Sequence, residues 1–511
     1  MKAPFLLSAS LFTLLAAAQP GTLDPTFGIN GRATAGVSGT YCSVEALAEQ
    51  ADGKIVVAGS TPGFALLVRF NASGSLDSGF GTNGLVLTDV DQSNDFFSTV
   101  AIRPDGKIVA GGVRFNNASD GSAIVARYNA DGSLDSGFGT NGIVTLSIPL
   151  PGTLDSFVRR IVLQPNGHIV VLVERYTSTG WTACLVRLNG NSGAQEGFFG
   201  VVPLEVLPGA DHYPLDVTLQ ADGKIIACGY AESPTGGGAF AIRVDTDGLI
   251  DETFGSAQGV LLDLGAQDQD QAHSVHLQPD GKVLLSGLIE DAIGYGVLVA
   301  RLLPNGTLDA TFGNGGFVKL TLAVDDWAVP TLDLQPDGRI VVGVENSEAT
   351  NPRVRVFRLL PDGALDSSFG TNGVGISNAT SGNNGEWATR TLLLSDGGIA
   401  VCGYVETPNN QQAAVWKFQS GLNLSVGDGP AAEAFRVAPN PVTDELMVEG
   451  MGLSHAQSVL TVRDMTGREV LVDADRQVDR IIVDASRLPA GAYTVTITTS
   501  AGQRSARFIR Q

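Results

Sequence analysis

Acidic and aromatic side chains recur together along this sequence, a combination that suits the binding of sugars. Aromatic faces stack on the C–H groups of a sugar ring, and carboxylates accept hydrogen bonds from its hydroxyls. The recurring residues are Asp95, Phe96, Asp155, Phe157, Asp211, Tyr213, Asp270, Asp326, Trp327, Glu386 and Trp387. We expect them to form a ring at the mouth of a channel and to contact a ligand there. In the alternative interpretation, the aromatics pack between structural elements and the acids beside them are solvated.

Residues that would support catalysis or metal binding are sparse. The sequence contains no G-x-S-x-G, H-E-x-x-H, P-loop or C-x-x-C pattern. His273 and His276 are three apart on an expected strand, so they should face opposite sides. The segment 89–95 resembles the start of a calcium loop, but Asn94 and Val100 replace the glycine and glutamate that such a loop needs. We predict no catalytic residue, cofactor or metal; the alternative is a hydrolase or lyase that uses the acids of the ring.

A second recurring set pairs a base with an acid. In most repeats an arginine stands eight residues ahead of the aspartate of a Leu-Asp-x-x-Phe-Gly segment, which places the two side by side across a hairpin. The pairs are Arg69 with Asp77, Arg127 with Asp135, Arg243 with Asp251, Arg301 with Asp309, and Arg358 with Asp366. Arg187 with Glu196 is a degenerate copy, and Lys417 is left to pair with Asp24 from the start of the chain. We interpret all of them as structural pairs.

These residues lie in a sequence unit that occurs seven times. An Asp-Gly or Asn-Gly turn recurs from Asp52 to Asp396 with a mean period of about 57 residues, between apolar β-rich runs. Both residues of such a turn can adopt φ > 0, so each copy predicts a β-hairpin. With the Leu-Asp-x-x-Phe-Gly corner and its flanking strands, each repeat has four strands. The pattern indicates an all-β, seven-bladed β-propeller, and a single open solenoid is the alternative.

The two ends of this region predict how the ring closes. The last repeat stops near Phe418 without a corner, whereas a surplus corner stands at the beginning, from Leu23 to Phe27. A strand at about 32–37 should therefore complete the last blade. Together, the corner and the Pro-Asp-Gly-Lys turns resemble the delta-60 repeat family of bacterial propellers over about residues 21–420, and their layout is similar to NHL-type repeats. The resemblance implies a propeller without an assigned chemistry.

The composition is typical of a turn-rich, exported protein. Glycine supplies 64 of 511 residues and charged residues only 17%, which favours an all-β fold. The net charge of −21 disfavours binding to nucleic acid or to an anionic membrane surface. Lys2 and the apolar run to Ala18 predict a signal peptide over residues 1–18, and no other stretch predicts membrane insertion. Four cysteines are too few for a disulfide framework, and we expect Cys228 and Cys402 to fill tight apolar positions.

Residues 434–511 follow a linker over 422–433 and differ in composition from the rest. They contain nine arginines and no lysine, and their short apolar runs predict a small immunoglobulin-like β-sandwich. Their sequence closely resembles the C-terminal sorting domain of the Bacteroidota type-nine secretion system, with Pro439-Asn440-Pro441, Gly467-Arg468 and Gly491-Ala492-Tyr493 at the positions of the family's motifs. The resemblance implies passage across the outer membrane, removal of this domain, and release or surface attachment. An ordinary accessory immunoglobulin-like domain is the alternative.

We therefore expect a secreted or cell-surface protein that acts in binding or adhesion, with its propeller over residues 19–421. The outer-membrane secretion machinery would be one partner, through the C-terminal domain. A glycan or a peptide would be the other, at the acid and aromatic ring.

Overall fold

The computed structural model describes residues 19–422 and 436–510 apart from short gaps, and the regular structure of these residues is β-strand. The gaps are residues 38, 91–93, 117–119, 235, 257, 265–269, 292–293, 321–323, 325–326, 347–351, 378–384, 407–409, 439–441, 450–458, 465–468, 471, 477–479, 490 and 500–501. The expected signal peptide, nearly all of the expected linker, Asp326, and the Pro439 and Gly467 motifs thus lie outside the described residues. Within the described part, no helix is long and apolar enough to span a bilayer.

Seven four-stranded antiparallel sheets occupy the described residues up to 418, and six of them use strands that are consecutive in the chain. Sheet 1 contains β2 (Ser43–Glu49), β3 (Ile55–Thr61), β4 (Phe64–Phe70) and β5 (Leu85–Thr88). Sheet 2 contains β6 (Phe96–Ile102), β7 (Ile108–Phe115), β8 (Gly121–Tyr128) and β9 (Ile143–Thr145). Sheet 3 contains β10 (Thr153–Leu163), β11 (Ile169–Thr177), β12 (Gly180–Leu188) and β13 (Val201–Leu204).

The next three sheets repeat the same order. Sheet 4 contains β14 (Asp211–Leu219), β15 (Ile225–Ser233), β16 (Gly236–Val244) and β17 (Val260–Leu262). Sheet 5 contains β18 (Gln271–Leu277), β19 (Val283–Asp291), β20 (Gly294–Leu302) and β21 (Phe317–Leu320). Sheet 6 contains β22 (Thr331–Leu334), β23 (Ile340–Asn346), β24 (Arg353–Leu359) and β25 (Val374–Ile376).

Sheet 7 joins the two ends of this region. It consists of β26 (Gly385–Leu393), β27 (Ile399–Glu406), β28 (Gln411–Phe418) and, from the start of the chain, β1 (Arg32–Ala35). β1 pairs antiparallel with β28, in a register that runs from Arg32 opposite Trp416 to Ala35 opposite Ala413. The prediction that a strand near residues 32–37 completes the last repeat is confirmed.

The apolar cores lie between neighbouring sheets. Each of seven buried clusters combines residues from two consecutive sheets, and one of the seven combines sheet 7 with sheet 1. All four cysteines are buried and unpaired, and Cys228 and Cys402 belong to these cores. Burial raises the pKa of the Cys402 thiol to about 12, so this side chain acts as a small apolar group. No sheet of this region has a core of its own, because each face is covered by a neighbour.

Residues 436–510 form two further four-stranded sheets, in the orders β29–β30–β34–β33 and β32–β31–β35–β36. Their strands are β29 (Arg436–Ala438), β30 (Glu445–Glu449), β31 (Val459–Asp464), β32 (Glu469–Val470), β33 (Ala474–Arg476), β34 (Arg480–Asp484), β35 (Gly491–Thr499) and β36 (Gly502–Arg510). Buried Val448 and Val483 of one sheet share a core with Val495 and Phe508 of the other. The two sheets therefore pack as layers.

The Asp-Gly turns join the first and second strands of each sheet, but their backbone differs from our expectation. Only the glycine has a positive φ, for example +79° at Gly53, so the expected pair of positive-φ residues is wrong here. Asp52 contributes through its side chain instead, because Oδ1 accepts the Lys54 amide at 3.2 Å. The turn thus needs one glycine and one capping side-chain oxygen, which is an amide oxygen at Asn166, 3.1 Å from the His168 amide.

An unpredicted turn with two positive-φ residues follows the corner. Asn83 and Gly84 have φ of +53° and +89°. Thr82 and Leu85 exchange backbone hydrogen bonds of 2.8 and 3.2 Å around them. These are the features of a two-residue type I′ hairpin, whose twist suits antiparallel strands.

Every Leu-Asp-x-x-Phe-Gly corner holds a compact clamp. In sheet 5, Arg301 Nε donates to Asp309 Oδ2 at 2.8 Å while its guanidinium lies 4.5 Å from the centre of the Phe312 ring. Lys282 of the Asp-Gly turn also reaches Asp309, with Nζ 3.0 Å from Oδ2; the sequence analysis missed this partner. The other pairs are Arg69–Asp77 at 2.8 Å, Arg127–Asp135 at 2.7 Å, Arg187–Glu196 at 2.6 Å, Arg243–Asp251 at 2.8 Å, Arg358–Asp366 at 2.9 Å and Lys417–Asp24 at 3.4 Å.

The clamps also connect each sheet to the next. Arg301 Nη1 donates to the backbone oxygen of Pro361, which belongs to the following repeat, at 2.6 Å. The corner glycine adds a backbone bond; in sheet 7 the Gly28 amide donates to Ser73 O of sheet 1 at 2.7 Å. Neighbouring sheets are therefore linked in a cycle.

Deletion of residues 21–37 should destabilise the whole cycle, because it removes β1, exposes the edge of β28 and takes Phe27 out of the core that sheets 7 and 1 share. We expect the free energy of unfolding to fall by at least about 5 kcal/mol, judged from the cost of deleting one buried phenylalanine and a strand. Thermal unfolding measures this. The control is Ile29→Ser, which changes a side chain that is 79% exposed. An unchanged melting temperature after the deletion would contradict closure by β1.

Removal of one corner carboxylate should lower the stability of the fold and should also make this stability less dependent on pH in the acid range. The pKa of Asp309 lies far below its usual range. The hydrogen bond from the Thr311 hydroxyl has the largest effect, burial opposes it, and Lys282 and Arg301 lower the pKa further. A depressed pKa adds stability above the ordinary value of about 3.9 and loses it as the pH falls toward the folded value. Asp309→Asn should cost about 1.5–3 kcal/mol near neutral pH and flatten the loss of melting temperature between about pH 5 and 2.

The matched control is Asp280→Asn. Asp280 contacts the same lysine, with Lys282 Nζ 3.6 Å from Oδ2, but its side chain is 57% exposed. An exposed ion pair contributes little, so this variant should unfold like the parent. Equal acid sensitivity in Asp309→Asn and Asp280→Asn would argue against the clamp.

Candidate functional site

The predicted ring residues that the structure describes, all except Asp326, lie at one end of the sheets, which we call the variable end. This end carries the connections between second and third strands, such as residues 178–179, and the starts of the innermost strands β2, β6, β10, β14, β18, β22 and β26. The Asp-Gly turns and the corners occupy the opposite end, since consecutive strands run antiparallel.

Three of the predicted ring acids are not exposed, which corrects our expectation for them. Asp95 and Asp270 are each 1% exposed and Glu386 is 0% exposed. Asp95 accepts the amides of Val90 at 2.7 Å and Phe115 at 3.2 Å. These two bonds stabilise the backbone around Asp95 and engage both of its carboxylate oxygens.

Glu386 has a comparable structural role in sheet 7. Its Oε1 lies 3.2 Å from Arg32 Nη1, so it ties the innermost strand of the sheet to β1, and Oε2 accepts the Ser377 hydroxyl. Side-chain alternation explains the burial. Glu386 and Trp387 are adjacent in β26 and point to opposite faces, so the tryptophan is half-buried while the acid is enclosed.

The other two described acids are half-buried, because each stands two residues before its aromatic partner and shares its face. Asp155 accepts the Gly121 amide of sheet 2 at 2.6 Å. Asp211 accepts the Trp181 amide of sheet 3 at 2.9 Å. Both acids thus lie next to an aromatic residue and brace the preceding sheet.

Six aromatic rings form a continuous line across sheets 2, 3 and 4 at this end. The successive centroid distances are 6.4 Å for Phe96–Phe115, 6.2 Å for Phe115–Phe157, 6.0 Å for Phe157–Trp181, 6.1 Å for Trp181–Tyr213 and 4.6 Å for Tyr213–Tyr230. Tyr176 flanks the line, 4.9 Å from Trp181. We call these seven residues the aromatic arc; all are half-buried except Tyr176, which is 38% exposed.

Sequence reasoning found only three members of the arc. Phe96, Phe157 and Tyr213 belong to innermost strands and were predicted. Phe115, Tyr176, Trp181 and Tyr230 lie on second and third strands, at the ends that approach the neighbouring sheet. Their only signal in the sequence is an aromatic residue beside the variable loop.

The remaining predicted aromatics lie apart from the arc. Trp387 stacks on Tyr404 of the same sheet, with centroids 6.0 Å apart. Trp327 is 76% exposed. Tyr41, 65% exposed, borders a cavity of about 350 Å³ together with Phe96 and Phe115, which extends the arc toward sheet 1.

A second cavity, of about 220 Å³, lies where the innermost strands of all seven sheets meet. Arg390 of sheet 7 forms a bidentate pair with Asp216 of sheet 4, with Nη1–Oδ2 and Nη2–Oδ1 distances of 2.9 and 3.3 Å. Arg160 of sheet 3 places Nε 3.7 Å from Asp216 Oδ1. Burial and the nearby Arg390 lower the pKa of Arg160 to about 10. These contacts link strands across the channel.

β-bulges direct these charged residues into the channel. Each of the strands β10, β14 and β26 has a register shift immediately before the charged residue, between Val158 and Arg160 in the first of them. A bulge re-aims the following side chain and increases the local twist. Gly229 sits opposite the β14 bulge, where an added Cβ would lie 2.0 Å from Tyr213 O. The sequence analysis missed this charged channel.

The histidines fall in different surroundings. His276 faces the channel, with Nδ1 3.4 Å from Asp333 Oδ1. His273 is buried, its ring bonds to Gln271, and burial together with Arg160 lowers its pKa to about 4. Among the described residues, no group of three His, Cys, Asp or Glu side chains is arranged to hold a metal ion.

Comparison with protein families gives two matches. Residues 50–80, 103–138, 220–254, 278–312 and 335–369 match a model described as a domain of unknown function (DUF5122) β-propeller. Residues 436–511 match the secretion system C-terminal sorting domain. No curated protein matches the chain.

Several solved structures resemble the chain at the level of the fold. The polysaccharide lyase Uly1 is 12% identical, with a TM-score of 0.46 over 74% of this chain and 90% of its own. A catalytically inactive virginiamycin B lyase from Staphylococcus aureus is 12% identical, with a TM-score of 0.44 over 75% and 98% of the two chains. An ulvan lyase is 12% identical, with a TM-score of 0.43 over 71% and 92%.

Proposed function

We propose that this chain, which carries DUF5122 β-propeller repeats and a type IX C-terminal sorting domain, is an exported propeller that binds a glycan through its aromatic arc. The sorting domain indicates secretion or attachment to the outer cell surface. It also implies an interaction with the secretion machinery. The aromatic arc is the part of the propeller that would contact the glycan.

We propose the domain organisation that the sequence predicts, which the sheets support for two of its parts. Residues 1–18 would be the signal peptide, 19–421 a seven-bladed propeller, 422–433 a linker, and 434–511 an immunoglobulin-like sandwich. The propeller is supported by one cavity that all seven innermost strands line, and by the core that sheets 7 and 1 share. The sandwich is supported by the common core of the last two sheets.

The observation that carries the glycan proposal is the continuity of the arc. Its members come from three sheets, yet each ring lies within 6.4 Å of the next. Half-buried rings that are held by their neighbours present a rigid apolar surface, on which the C–H faces of successive sugars can stack at little entropic cost. A chain of net charge −21 repels acidic polymers, so the glycan should lack acidic groups.

The alternative function, a hydrolase or lyase that uses ring carboxylates, has less support. Catalysis by a carboxyl pair needs two acids that face the substrate, whereas Asp95, Asp270 and Glu386 are enclosed and hydrogen-bonded. Asp155 and Asp211 each already accept a backbone amide. An assay for shortened or unsaturated glycan products would distinguish turnover from binding.

Substitution Trp181→Ala should weaken glycan binding about tenfold or more, because it removes the ring that contacts Phe157, Tyr176 and Tyr213. A neutral glycan array identifies ligands, and titration calorimetry with the best of them measures the change. The matched control is Phe198→Ala, an aromatic that is 82% exposed at the opposite end. If Phe198→Ala lowers affinity as much as Trp181→Ala at unchanged melting temperatures, the arc is not the site.

Removal of residues 434–511 should leave a folded propeller that no longer leaves the periplasm, because the sorting information resides in the C-terminal domain. Cell fractionation and a melting curve of the purified fragment test this. Full surface display or release of the truncated chain would contradict the proposal.

A further inference from the structure

Two like-charged residues face each other at the outer end of the arc. On the first two strands of sheet 4, Asp211 is the direct cross-strand partner of Glu232, and Tyr213 is the partner of Tyr230 two residues further along. Because side chains alternate along a strand, both pairs lie on the same face. The tyrosine rings are stacked, with centroids 4.6 Å and planes 16° apart. Opposed like charges destabilise a strand pair, so this arrangement calls for a compensating positive charge.

A third carboxylate lies on sheet 3, where Glu174 is the direct cross-strand partner of Phe157 of the arc. The side chain of Glu174 is 1% exposed and its Oε2 lies 2.5 Å from Arg159 Nη2. Its Oε1 is buried and has no hydrogen-bond partner. A buried carboxylate oxygen without a donor is costly, so Glu174 has a free acceptor position at the arc.

Carboxylates predominate near the tyrosine stack. Arg159 pairs with Glu174, whose pKa is raised by burial, and Asp211 and Glu232 add two further carboxylates. Burial, followed by the carboxylates of Asp211, Glu232 and Glu174, raises the pKa of Tyr213 to about 12. The phenol therefore stays neutral, and the local field is negative.

We propose that this group, Asp211, Glu232, Glu174, Tyr213 and Tyr230, binds the protonated amino group of an amino sugar. The inference rests on the proposed glycan function and names the chemistry of the glycan: a polymer with free, unacetylated amines. An ammonium group offers hydrogen-bond donors to the carboxylates and is attracted by the faces of aromatic rings. The other rings of the aromatic arc then hold the sugars on one side of the charged unit.

A related group in sheets 6 and 7 has a similar negative field, since burial and the carboxylates of Glu45, Glu406 and Glu345 raise the pKa of Tyr404 to about 12. It lacks two other features of the group in sheets 3 and 4. Trp387 and Tyr404 stack there, and Glu345 and Glu406 stand at the places of Glu174 and Glu232. However, Gly385 replaces Asp211 opposite Glu406, so the like-charged pair is missing. Glu345 also accepts the Ala388 amide at 3.3 Å. This group provides a matched control within the same molecule.

The test compares two oligosaccharides that differ only in acetylation. The secreted full chain is titrated calorimetrically with the tetramers of glucosamine and of N-acetylglucosamine at about pH 5.5, where ordinary carboxylates remain ionised. We expect the glucosamine tetramer to bind about tenfold more tightly or better. Glu232→Gln should reduce this preference to less than about threefold, whereas Glu406→Gln should keep it.

Each other outcome has a defined meaning. Equal affinity for both tetramers, lost in Trp181→Ala, would overturn the amine site and leave glycan binding intact. Absence of binding to either tetramer, and to any other neutral glycan, would overturn both. Tighter binding of tetralysine than of the glucosamine tetramer, again lost in Glu232→Gln, would overturn the amino sugar in favour of a cationic peptide. Glu232 is exposed, so its variant should fold normally; Glu174→Gln is a second variant with the same expected loss.

Discussion

A clamp of a base, an acid and a phenylalanine stands at each corner, and the rest of the structure depends on it. The base and acid are arginine and aspartate at five corners, Arg187 and Glu196 at one, and Lys417 and Asp24 at one. One guanidinium binds the carboxylate of its own corner, stacks over the phenylalanine, and donates to a backbone carbonyl of the next repeat. Arginine suits this task because its planar fork has several donors and stays charged at any physiological pH. At the six corners with an arginine, the contact that holds one corner therefore also positions the following sheet. At the seventh, the Gly28 amide makes the bond to sheet 1.

This arrangement fixes one end of the molecule and leaves the other free to vary. The corners and Asp-Gly turns are bound to their neighbours by backbone hydrogen bonds such as that from Gly28 to Ser73. At the variable end, backbone bonds such as that from the Cys42 amide to Gln411 O, 3.0 Å, also join neighbouring sheets, but loop lengths differ from repeat to repeat. Binding surfaces commonly form where a rigid scaffold carries variable loops. The aromatic arc lies at that end and covers only three of the seven sheets.

Local patterns in the sequence predicted the repeats, the four strands of each repeat, the pairs of base and acid, and the closing strand. Each of these features depends on residues that are close together in the chain or on a motif that recurs at a regular spacing. The Arg390–Asp216 contact could not be predicted in this way. It joins residues that are 174 positions apart in the chain, and it depends on β-bulges that no local pattern in the sequence predicted. For the same reason, the sequence predicted only part of the arc: Trp181 and Tyr213 come into contact only when sheets 3 and 4 pack together.

The spacing between an acid and its aromatic neighbour decides which ring residues can act on a ligand. Adjacent residues in a strand point to opposite faces, so Asp95 beside Phe96 and Glu386 beside Trp387 are drawn into the protein while their aromatic neighbours stay half-buried. When the acid and the aromatic residue are two positions apart, both side chains lie on the same face, as for Asp211 and Tyr213. Partly exposed acids beside aromatics therefore occur in sheets 3 and 4, where the arc runs and where Glu174 has an unused oxygen. Strand alternation thus concentrates the partly exposed acids and their aromatic neighbours in two of the seven otherwise repetitive sheets.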